Sequence, residues 1–107
     1  MEFTSPGAAR LFLANSSCTG RDRLAVAERG YSLRYTDPAA MLAWCEAAVV
    51  NLPESLPASE LSMLFAHFGN AHRVSCNFDE AEVYLRQAHA IAPDDPLILE
   101  FYALVSG

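Results

Sequence analysis

At 107 residues the chain has the size of one domain, and a composition of 52% hydrophobic against 19% charged residues can bury a real core and is not that of a disordered chain. Its net charge of −6 argues against general nucleic-acid binding, which needs a basic footprint. No apolar run reaches the ~18 residues that a membrane span requires.

The charge is unevenly spread. Residues 1–36 hold five arginines against three acids, whereas residues 79–107 hold six acids against Arg86 alone. Such polarity orients a partner or serves only as solvated faces. Every basic residue is arginine and none is lysine, a bias expected of a GC-rich bacterial coding sequence. The opening MEFTSPGAARLFLANSS lacks the basic start and apolar core of a secretory leader, so a cytoplasmic protein is expected. Cys18, Cys45 and Cys76 are an odd number with no CxxC pair, which predicts buried or half-buried free thiols.

Residues 1–18 form a poorly patterned N-terminal arm in which ARLFLA suits a short helix or an extended segment. Thr19 and Asp22 then make a capping signal, and Leu24, Ala27 and Tyr31 follow at helical spacing, predicting a helix over roughly 20–35. Asp37 and Pro38 open a second, roughly 38–51, with Met41, Trp44, Cys45 and Ala48 on one face. A third, roughly 57–75, aligns Leu61, Leu64, Phe65, Phe68 and His72. Asn77 with Glu80 predicts a capping box for a fourth, roughly 78–91, carrying Ala81, Leu85, Ala88 and Ile91. Asp95 and Pro96 open a fifth that runs almost to the terminus. Residues 19–107 therefore read as one all-α domain whose short loops set neighbouring helices antiparallel.

Phe65-x2-Phe68-Gly69-x2-His72, followed by Ala81-x3-Leu85 and Pro93, resembles the tetratricopeptide repeat pattern W-x2-L-G-x2-Y…A-x3-F…P. Gly69 and Ala81 stand where two helices approach closely, and Pro93 stops the second helix. A weaker copy, Leu24-x2-Ala27-Glu28-x2-Tyr31 with Ala40-x3-Trp44, departs at Glu28, where the family has a small residue. Ala40 and Ala81 lie 41 positions apart against a repeat of about 34, and the NLPESLPAS connection absorbs the difference. The resemblance implies antiparallel helical hairpins, about two repeats plus a C-terminal helix. It also implies a groove lined by Arg29, Met63, Ala66, Asn70, Arg73, Leu97 and Glu100. Asn70 matches the position where carboxylate-binding members hold a peptide, but Ala66 replaces the lysine one turn earlier, so that clamp is incomplete.

The C-terminal helix, PLILEFYALVSG, is apolar nearly all round, with Glu100 its one charge. Leu97, Phe101, Leu104 and Val105 are therefore expected to form a surface that needs a cover: a homodimer, a partner or further repeats.

Catalytic motifs are missing. His67 and His72 are five apart, a poor spacing for one helix face, and His72 takes the tyrosine-like packing position. These two and His89 are expected to be structural, not metal ligands. Asp79, Glu80 and Glu82 fit the first turn of a helix, where they favour its dipole. No nucleophile elbow, phosphate loop or dinucleotide fingerprint is present. The expectation is a non-enzymatic module without cofactor, binding a peptide or helix of a partner protein, with a homo-oligomerisation domain as the alternative. A nucleic-acid-linked regulator using the arginines of the first helix is disfavoured by the acidic charge.

Overall fold

The structure, a computed structural model, describes residues 3–14 and 19–106, so Cys18 lies outside the described residues. Among the described residues six helices follow in order: α1 Pro6–Leu13, α2 Gly20–Tyr31, α3 Pro38–Val49, α4 Ala58–Val74, α5 Phe78–Ile91 and α6 Pro96–Ser106. No strand occurs among the described residues. The fold is all-α.

The polar residues ahead of each helix explain most of the starts. The Ser5 hydroxyl accepts the Ala8 N–H at 3.1 Å, turning the ARLFLA segment into α1. Thr19 and Asp22 exchange bonds: the Asp22 N–H donates to Thr19 Oγ1 at 3.2 Å and the Thr19 N–H to Asp22 Oδ2 at 2.9 Å. Asp37 accepts from the Ala40 N–H at 3.1 Å ahead of Pro38. Asp95 Oδ1 accepts from Leu97 at 2.9 Å and Ile98 at 3.2 Å.

Two boundaries depart from expectation. α2 stops at Tyr31, not near 35, and residues 32–36 form a turn. Pro38 disfavours helical geometry at Asp37, and Arg34 Nη1 donates to the Tyr31 carbonyl at 3.0 Å, satisfying an acceptor that a longer helix would use. Asn77 does not cap α5 with its side chain. Its Nδ2 lies 3.2 Å from His72 Nδ1, because the backbone around it is already committed to ending α4. The Asn77 N–H donates to the His72 carbonyl at 2.8 Å and the Cys76 N–H to the Arg73 carbonyl at 3.0 Å. That is a Schellman ending, with Cys76 in the left-handed position at φ 65°.

α4 packs most extensively on α5 and α2 on α3, while α4 also touches α2, α3 and α6. The shortest dimension, 20 Å, is about two helix diameters, so the helices lie in two layers. Within the α2/α3 and α4/α5 pairs, two glycines mark close approaches. A Cβ on Gly69 would lie 2.7 Å from Leu85 Cγ and 3.2 Å from the Ala81 carbonyl oxygen. A Cβ on Gly30 would lie 2.9 Å from both the Met41 carbonyl oxygen and Trp44 Cβ. The close contact in the first helix pair therefore falls at Gly30, two residues beyond Glu28, which is exposed.

The core has three connected parts. Ala9 and Leu13 of α1 join Val26, Ala27, Trp44, Ala47 and Ala48, so α1 covers one side of the nearly all-apolar α3. Met41, Cys45, Phe68 and Ala71 link α3 to α4. Ala66, Leu85, Ala88, Ile98 and Phe101 seat α6 on α4 and α5. Arg23 is buried at 5% exposure inside the first region. Its Nη1 donates to the carbonyls of Ala48 at 2.9 Å and Val50 at 2.7 Å, and its Nη2 to Asn51 at 3.1 Å. A cation at the C-terminal end of α3 satisfies orphan carbonyls and complements the helix dipole.

Candidate functional site

The last turns of α4 and α6 and the turn after α2 enclose a cleft of about 430 Å³. Its polar groups come from three places: Arg34 from the turn, Asn70 and Arg73 from α4, and Glu100 from α6. Asn70 is only 1% exposed, and its Oδ1 accepts from Arg73 Nε at 3.0 Å. Residues three apart on a helix meet in this way, so α4 itself aims the Arg73 guanidinium. Arg34 is held by stacking. Its guanidinium carbon lies 4.1 Å from the centre of the Tyr31 ring and 4.6 Å from that of Tyr35. Phe101 forms part of the apolar lining, and Val74, Phe78 and Leu104 complete it.

Of the residues expected in a groove, the cleft brings together Asn70, Arg73 and Glu100. Arg29 lies elsewhere, its guanidinium carbon 5.5 Å above the Trp44 ring. Met63 is half-buried against the cluster of Ala66, Leu85 and Ile98, and Ala66 itself is fully buried. Among the residues expected to form an apolar surface on α6, Leu104 is exposed at 57% and also lines the cleft. Leu97 and Val105 are half-buried, and Phe101 is buried at 3% exposure between Tyr31 and His67. Spacing alone could not separate these faces, because α6 is apolar at almost every position.

Arg34, Tyr31 and Tyr35 are cleft residues that helix periodicity missed. Their signal was the run Tyr-Ser-Leu-Arg-Tyr before Asp-Pro, an arginine flanked by aromatics at a helix end. Reading that run as helix hid the turn that folds Arg34 back onto Tyr31.

Each histidine sits against aromatic rings. His67 packs edge-on to Tyr31 at 5.4 Å, His72 stacks on Tyr84 at 5.8 Å, and His89 lies 5.1 Å from Tyr102. His67 Nδ1 is buried without a hydrogen-bond partner, and burial lowers its pKa to about 4, so the ring is neutral at pH 7. Burial also lowers the pKa of His72, opposed by the carboxylates of Glu80 and Glu46. Among the described residues no group of His, Cys, Asp and Glu has a metal-binding arrangement.

Cys45 is buried, 3.7 Å from the Ala27 carbonyl, and burial pushes its thiol up to about 12. Cys76, expected to be buried or half-buried, is exposed on the turn between α4 and α5. No helix among the described residues is long and apolar enough to cross a membrane. Comparison with protein-family models, curated proteins and solved structures gave no match.

Proposed function

We propose that this chain is a non-enzymatic interaction module of tetratricopeptide-repeat type that takes a peptide or helix of a partner protein in the cleft between α2, α4 and α6. The observation that carries the reading is the cleft itself: two oriented guanidinium groups, Arg34 and Arg73, beside an apolar lining. Gly69 against Ala81 and Leu85 supports the repeat register, since these are the positions where the family brings two helices together. Clefts with a mostly apolar wall and a few placed polar groups are suited to binding. The proposal includes a cytoplasmic setting, supported by the free thiols of Cys45 and Cys76. The test is capture with immobilised wild type against Asn70→Ala/Arg73→Ala, both shown to be folded by circular dichroism. A partner retained by the first and lost by the second is expected; identical capture profiles would remove the cleft from the function.

Homo-oligomerisation is the second reading, favoured by Leu99 and Leu104 of α6, exposed at 43% and 57%. Light scattering across a concentration series decides it. A dimer that Leu104→Asp converts to monomer supports a homotypic surface, and a wild-type monomer at every concentration rejects one.

A further inference from the structure

We infer that the cleft selects an internal segment of a partner protein in which one aspartate or glutamate lies beside an aromatic or branched apolar residue. The inference rests on the cleft reading above and adds the chemistry of the occupant.

The first observation is electrostatic. The chain carries 13 acidic residues against seven arginines. Yet neither Arg34 nor Arg73 pairs with a carboxylate among the described residues, where the ion pairs join Arg10 to Glu46 and Arg86 to Glu82. Two cations facing one cleft in an acidic protein form a local complement to an anionic group.

The second observation is that both cations are positioned without a ligand. Arg34 is stacked on two tyrosine rings and bonded to the Tyr31 carbonyl. Arg73 is tied through Nε to Asn70, a side chain almost wholly buried. That tie leaves the two Nη groups of Arg73 for a carboxylate, the forked geometry in which arginine binds most strongly. Fixing the guanidinium groups beforehand lowers the ordering cost of binding.

The third observation is the surrounding surface. Tyr35, Phe78 and Leu104 are exposed apolar or aromatic side chains that all line this cleft. They offer a neighbouring ring or branched side chain somewhere to pack. Glu100 lies on the same cleft and repels a second anion, so a polyanion or a run of acids fits worse than a single acid next to an apolar residue.

The probe is a library of random 12-residue peptides displayed with no free C-terminus, selected on wild type and counter-selected on Arg34→Ala/Arg73→Ala. Selected sequences are then synthesised with amidated ends, and their glutamine or asparagine analogues are measured by fluorescence anisotropy. Enrichment of one acid beside an aromatic or branched residue is expected. The amide analogue and each single arginine variant should bind at least about tenfold more weakly, the loss of one charge-assisted pair. Glu100→Gln should tighten binding of a peptide carrying two acids. Cleft-dependent peptides that are neutral or basic would overturn the acidic preference and leave the interaction module standing. The same peptides are also synthesised with a free terminal carboxylate, and binding that tightens at least about tenfold over the amidated form would overturn the internal-segment assignment. Failure to select any peptide that distinguishes wild type from the double variant would overturn both readings.

Discussion

Arginines near helix ends meet opposite fates in the two halves of this molecule. In the first half Arg23 is buried and spends three hydrogen bonds on the last carbonyls of α3 and the residues after it. In the second half α4 ends through its own backbone, with Cys76 and Asn77 donating to Arg73 and His72. The Arg73 side chain is not needed for that closure and turns to the cleft. The α3 terminus thus depends on a residue 25 to 28 positions earlier, whereas the α4 terminus closes locally. A helix end closed by its own turn leaves nearby charged side chains available for binding.

The sharpest break of this contrast is Arg23→Ala. It strands three acceptors and removes charge-assisted bonds, for an expected loss of about 4 kcal/mol. Arg34→Ala and Arg73→Ala, by contrast, should each cost under about 1 kcal/mol, because their cationic groups close no helix-terminal network of that kind. Urea unfolding measures all three, and equal losses would mean that the contrast is false.

Next in size is the pH response of the second half. His67 has an ordinary value of 6.5 and is held at about 4 by burial, with Nδ1 unpaired. The unfolded chain therefore binds the proton more readily. Stability is complete above about pH 6.5 and falls as the pH drops towards 4, with no further loss from this group below that. The separation corresponds to about 3 kcal/mol. Subtracting the pH–stability curve of His67→Phe isolates the effect from that of the carboxylates. If both curves fall in parallel between pH 6.5 and 4, His67 is not the titrating group.

Gly30 and Gly69 compare the helix pairs directly. Alanine at Gly30 meets a backbone carbonyl and Trp44 Cβ, which cannot swing aside. At Gly69 the nearest atom belongs to the Leu85 side chain, which has some freedom to shift. Gly30→Ala should cost about 2 kcal/mol and Gly69→Ala about half as much, each already offset by alanine's better helix propensity. Thermal unfolding of both variants checks the order, and the reverse order would place the tighter approach at α4/α5.

The sequence made some of these features legible and concealed others for physical reasons. The starts of α2, α3 and α6 were readable because their caps lie within three residues of the groups they satisfy. The close approach at Gly69 was visible in its spacing to Ala81 and Leu85. The role of Arg23 was hidden, since its partners are backbone carbonyls 25 to 28 residues away and carry no side-chain signature. Asn70, Arg73 and Glu100, which the repeat register puts in a groove, line the cleft with Arg34. Arg29 was assigned on the same basis but rests over Trp44, because the close contact in the first helix pair lies at Gly30 and not Glu28. The place of Arg34 is not legible because helix spacing continues through residues 32–36, where the chain forms a turn.

The smallest effect belongs to Cys76, and it tests the local closure of α4. A side chain at φ 65° crowds its own carbonyl, a strain glycine does not have. Cys76→Gly should therefore stabilise the fold by about 0.5–1 kcal/mol, since glycine suits the left-handed position of a Schellman ending. The gain is limited because glycine also leaves the unfolded chain more freedom. The same turn exposes the Cys76 thiol, whereas Cys45 is buried and held as a neutral thiol. In the Cys18→Ser background a thiol reagent should label one cysteine rapidly in the folded protein, and the second only at the rate of unfolding. Adding Cys76→Gly should abolish the rapid phase and slow the other. Rapid labelling that survives Cys76→Gly would mean that α3 opens at Cys45 without global unfolding, and the first half would then be the less securely closed of the two.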